Sequence, residues 1–153
     1  MSAEAQDVAV NATHAILPIL RRFNDAFIRP EGFAWREAYA VAAMTWGASR
    51  GLAIAHAGQD FLSALMLSRS VPLRMADIDA PLRPVGADET AMVGLLEAMQ
   101  ADDTPRARDL IALVTAGRVE AAVIRTGLAL AQRLDPIAPP PSTQARPALS
   151  VVG

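Results

Sequence analysis

The sequence contains no cysteine and no lysine. The first absence excludes disulfides, thiolate metal sites and thiol chemistry. The second leaves arginine as every one of the 14 basic residues. Arginine can grip phosphate through paired hydrogen bonds, but exclusive arginine usage reads as codon bias in a GC-rich genome. Aromatic residues make up only 5% of the chain, and the β-branched residues are scattered rather than alternating. That argues against a sheet and for helices packed through Ala and Leu. Histidine occurs only at 14 and 56, and neither has a glutamate three residues away on either side. No metal site and no cofactor are therefore expected. There is no P-loop and no G-x-G-x-x-G. The net charge of -2 offers no broad basic surface for nucleic acid. The first ten residues carry Glu4 and Asp7 with no basic residue before an apolar run, so no signal peptide is expected and the expected location is cytoplasmic.

What is present is a chain of 153 residues, 52% apolar and 20% charged, a balance that buries one sizeable core. Its centre by composition is the stretch 35–67. Between Glu37 and Asp60 the only ionisable side chains are Tyr39, Arg50 and His56. Ala is the best helix former, and the apolar residues of 35–56 fall on every side, so this stretch is expected to be one helix enclosed by its neighbours. Arg50 ends the uncharged run 38–49, which is too short and too rich in Ala for a membrane span. Gly47 and Gly51, four apart, are expected to form a packing notch on one face. Gly58 is expected to end or bend the helix. Phe61, Leu62, Leu65 and Met66 then mark a second, shorter helix.

Upstream, residues 1–7 read as frayed, and Val8, Ile16, Leu20, Phe23 and Phe27 recur at helical spacing with Arg21, Arg22, Asn24 and Asp25 opposite. Pro18 predicts a kink or a restart. Residues 29–32 read as a turn. Downstream, 70–87 holds Pro72, Pro81, Pro84 and Gly86 together with several apolar residues, and is expected to cross the bundle as an ordered connection, with one helical turn over 73–78. Asp88 is the expected N-cap of a helix whose buried face is Met92, Leu95, Leu96 and Met99. Thr104-Pro105 starts the next helix, with Ala107, Leu110, Ile111 and Val114 inward and Gly117 at its end. The last helix, 118–134, puts Val119, Val123, Leu130 and Leu134 in register, with Ile124 and Leu128 beside the stripe, and should touch two neighbours. Residues 136–153 hold five of the 11 prolines and are expected to be a flexible tail, outside a helical domain over 1–135.

The expected fold is therefore all-α, a single-domain bundle of five to six helices around a buried central helix at about 35–56. The expected function is a non-enzymatic helical interaction protein, a small regulator or a subunit of a larger assembly. It would have a protein partner or a second copy, no nucleic acid and no membrane span. The alternative is a small-molecule or haem-binding sensor domain near His56, using Arg50, His56, Asp60 and Trp46. His56 and Asp60 are one helical turn apart, so the carboxylate would orient the imidazole. Trp35, Met44 and Met66 complete the set that would line an apolar pocket. An enzyme of unassigned class stands third and requires His56 to face a deep polar pocket.

Overall fold

The computed structural model describes residues 13–118 and 120–134. The frayed start expected over 1–7, Val8, Val119 and the tail expected over 136–153 lie outside them. Six helices and no strand are present among the described residues. In chain order they are α1 (Leu17–Ile28), α2 (Ala34–Trp46), α3 (Ala48–Ser68), α4 (Gly86–Gln100), α5 (Thr104–Val114) and α6 (Ala121–Arg133). The chain is an all-helical bundle. No described helix is long and apolar enough to cross a membrane.

Pro18 stands in the first turn of α1, where its missing N–H costs nothing, so the pattern restarts there rather than kinking. The helix ends at Ile28, with Arg29 preceding Pro30 and leaving the helical region. Its inward residues include Leu17, Leu20, Arg21 and Asn24, an i, i+3, i+4, i+7 stripe. Arg21 and Asn24 were expected on the solvent side, and both are buried.

The stretch 35–56 is not one helix. Gly47 takes φ +88°, a left-handed backbone that Gly adopts without strain, and the chain reverses there into α3. Gly51 then serves as the notch, because α2 and α3 pack so closely that a Cβ at 51 would lie 2.4 Å from the Ala42 carbonyl oxygen. Nor is this stretch enclosed on all sides. In α2 only Ala34, Ala38 and Ala42 are buried, a stripe one residue wide at four-residue spacing. Trp35 and Met44 face solvent. The flanks of this line, Tyr39, Val41 and Trp46, are only partly buried against the core, and the opposite face has nothing to pack on among the described residues.

The α3 helix is the real axis of the N-terminal part. Its 21 residues, about 31 Å long, touch α1, α2 and α6. It runs straight through Gly58, which is buried against Leu20 of α1 and against Ile16 just before that helix, and Phe61, Leu62 and Leu65 continue its core face. The most enclosed helix is α4, with Met92, Leu95, Leu96 and Met99 all buried as expected. It packs on α5 and α6. Asp88 is not its N-cap: the helix starts at Gly86, with Asp88 and Glu89 in its first turn. Asp103, not Thr104, caps α5 by accepting from the Arg106 N–H at 3.2 Å. The last helix contacts both α3 and α4, with Val123, Leu130 and Leu134 buried.

Candidate functional site

Of the residues chosen from sequence, the fold brings two together. His56 Nε2 and Asp60 Oδ2 are 3.6 Å apart on the outer face of α3, and the imidazole is 69% exposed. Arg125 and Arg133 of α6 stand across from them, and the four line an open groove of about 270 Å³. Arg50 reaches the end of this groove, where its guanidinium donates to the Arg133 carbonyl at 3.2 Å. A cation there satisfies a carbonyl that the end of α6 leaves unpaired. Trp46 does not line the groove; it lies half-buried against the core at the end of α2. Tyr39, also on α2, donates to Gln59 Oε1 at 3.2 Å and meets Phe23 edge-on at 5.6 Å. Burial and then the Asp60 charge push its phenol above the usual range, so it acts there as a neutral donor. The groove offers an imidazole, two guanidiniums and a carboxylate, all solvated. It is not a deep polar pocket, and Met44 and Trp35 open to solvent elsewhere rather than lining it.

The polar centre that sequence reading missed is buried between α1 and α4. Arg21 and Glu89 are 2% and 0% exposed. Arg21 Nε and Nη2 donate to the two Glu89 oxygens at 2.9 and 2.8 Å, a paired geometry. The guanidinium also donates to the carbonyls of Ala80, Pro81 and Arg83. Glu89 in turn accepts from the N–H groups of Ala76 and Val85 at 2.9 and 2.8 Å. Burial pushes the Glu89 carboxyl up, but the hydrogen bonds from Arg21, Ala76 and Val85 and the Arg21 charge outweigh it. The net position is below the usual carboxylate range. Asp88 does similar work beside it, accepting from the Arg74 N–H at 2.8 Å and pairing with Arg69 at 3.3 Å. The connection 69–85 has no helix over 73–78, yet it is pinned along its length. Arg21 could have been singled out by period alone, because it follows Leu17 by four residues. Its partner, 68 residues away, leaves no local signal.

Where the crossover leaves α3, the bundle presents an apolar surface. Helices α1, α2 and α3 run antiparallel in turn, joined by the short turns 29–33 and Gly47. The end of α1, the start of α2 and the end of α3 therefore lie at one end of the bundle. Ile28 is 67% exposed there, Phe33 66% and Leu67 87%. Ile28, Met66, Val71 and Leu73 line a cleft of about 250 Å³ where the crossover leaves α3. Beside it, the Arg36 guanidinium lies 5.6 Å from the Phe33 ring centroid and 5.3 Å from that of Trp35. Both stacks are within cation–π range. Arg36 has no carboxylate partner among the described residues, whereas its neighbour Glu37 faces Arg22 at 3.7 Å.

Comparison of the chain with family models, with curated proteins and with solved structures finds no match.

Proposed function

We propose that this chain is a non-enzymatic helical interaction protein, a small regulator or a subunit of a larger assembly, whose contact surface is the apolar end of the α1–α2–α3 unit. The observation that carries this is the exposed Phe33–Arg36–Trp35 stack. Aromatic residues and Arg dominate binding energy at interfaces when a partner excludes water from them. Arg36 is already held between two rings, so little side-chain entropy remains to be lost on binding. Its charge, without a carboxylate partner among the described residues, selects a partner that presents a carboxylate within an apolar face. A second copy docked symmetrically on the same patch would instead bring two Arg36 charges together.

The test is light scattering on the eluting protein, followed by capture from native lysate, with wild type and with Phe33→Ser/Trp35→Ser. Phe33 is 66% exposed and Trp35 44%, so the helical spectrum of the variant is checked against wild type. A partner held by wild type and lost by the variant supports the proposal. A wild-type monomer that retains nothing overturns it.

A second reading, a small-molecule site, is favoured by the convergence of His56, Arg125 and Arg133 on one groove. It predicts an anionic ligand. Absorbance titration of wild type and His56→Ala, with haem among the ligands, tests it; identical featureless spectra remove the haem form.

A further inference from the structure

A second apolar groove lies in the other half of the fold and does not depend on the interaction surface just proposed. Met99 of α4, Ile111 of α5, and Ile124 and Leu128 of α6 form its apolar lining, and the volume is about 220 Å³. Asp102, Asp103 and Arg108 stand around it. Leu128 is 39% exposed, so the groove is open to a side chain from outside. We propose that residues 146–152 of this same chain occupy it, with Arg146 at the acidic lip formed by Asp102 and Asp103.

Three observations converge on that occupant. The first is where the chain leaves the bundle. Gln100 at the end of α4 donates through Nε2 to the carbonyls of Ala131 and Leu134. This binds the end of α6 to the α4–α5 turn, the same turn that carries Asp102 and Asp103. Leu134, the last described residue, therefore lies beside the turn at the mouth of the groove.

The second is length. Arg146 is 12 residues beyond Leu134. A polyproline II segment advances about 3.1 Å per residue, so 12 residues have a reach of up to roughly 35 Å. The α5 wall is 11 residues, about 16 Å. Reach is ample, and the tether holds the segment at an effective concentration of about millimolar, so an intrinsic affinity in that range is enough to fill the groove.

The third is chemistry. Arg146 is the only charged side chain from 136 to 153. It is followed by Leu149, Val151 and Val152, aliphatic side chains suited to a floor of Met, Ile and Leu. The two aspartates at the lip outnumber the like charge of Arg108.

The absence of cysteine permits a clean test on the full chain. Ser150→Cys carries a nitroxide, and paramagnetic broadening is read at the methyl groups of Met99, Ile111, Ile124 and Leu128. The expected result is broadening severalfold above that at Leu20 and Leu65 in the α1–α3 core, unchanged on dilution. It should fall to the level of that core in Leu149→Ser and in Leu128→Glu, each checked for an unchanged helical spectrum. Leu149 lies outside the six helices, so Leu149→Ser keeps the test open whatever Leu128→Glu does to the bundle. Equal broadening at both sets of methyl groups overturns the proposal. So does broadening that persists in Leu149→Ser. Broadening that weakens on dilution, or that passes from labelled to unlabelled copies, also overturns it, by assigning the groove to the segment of a second molecule.

Discussion

Replacing Arg21 by Met removes the guanidinium and keeps most of the aliphatic volume. Glu89 then stays buried, held only by the N–H groups of Ala76 and Val85, and the carbonyls of Ala80, Pro81 and Arg83 each lose a donor. Breaking a buried pair by removing one partner costs about 3–5 kcal/mol, because a charge is left uncompensated. For a domain of this size that lowers Tm by about 10–20 °C. The assay is urea unfolding followed by circular dichroism, where the midpoint should fall while the slope stays the same. Hydrogen exchange at the Ala76 and Val85 amides should quicken, since the crossover is what the pair restrains.

The deficit should also depend on pH. In the wild type the folded Glu89 titrates below its ordinary value of 4.5, so its contribution is complete above that value and is lost as pH falls through the lower one. In Arg21→Met the guanidinium no longer opposes the effect of burial, and Glu89 titrates higher in the folded state. The penalty is therefore greatest near neutral pH and narrows as acid neutralises the carboxylate. A deficit within about 1 kcal/mol, the size expected of an exposed pair, or one that is flat across the acid range, would refute the account of the pair as a buried clamp.

Two glycines of α3 should respond in opposite directions. Gly51→Ala drives a Cβ into the Ala42 backbone at 2.4 Å, which cannot step aside, and thermal melts should show a loss of about 3 kcal/mol or more. Gly58→Ala meets nothing nearer than Leu20 Cδ2 at 3.4 Å and should gain about 0.5–1 kcal/mol from the helix backbone alone. Asp103→Ala removes the α5 cap and should cost about 1 kcal/mol by chemical denaturation. His56→Ala, on an open face, should leave stability within about 0.5 kcal/mol of wild type.

Local pattern carried the helices whose buried face is broad and apolar. Met92, Leu95, Leu96 and Met99 of α4, and Val123, Leu130 and Leu134 of α6, follow the helical period and are buried. The same signal misled at 35–56, because Ala continues a helical pattern on any face and hides the reversal at Gly47. A Gly at that position fits a helix interior, a notch or a left-handed turn equally well. At the candidate sites, His56 and Asp60 were legible because they are neighbours along one helix. Arg125 and Arg133 join them only because α6 packs on α3, and the Phe33–Arg36–Trp35 stack stands out only because the described residues leave it open to solvent.

The sequence by itself determined that this protein is a bundle of helices without thiol chemistry, since composition and the 3.6-residue period act within a few residues of one another. Which charges are buried, which apolar side chains remain uncovered and what holds the long crossover were decided by tertiary structure alone. The pairing of Arg21 with Glu89 shows why. Its strength comes from exclusion of water and from backbone groups distant along the chain, and neither exists until the helices have packed.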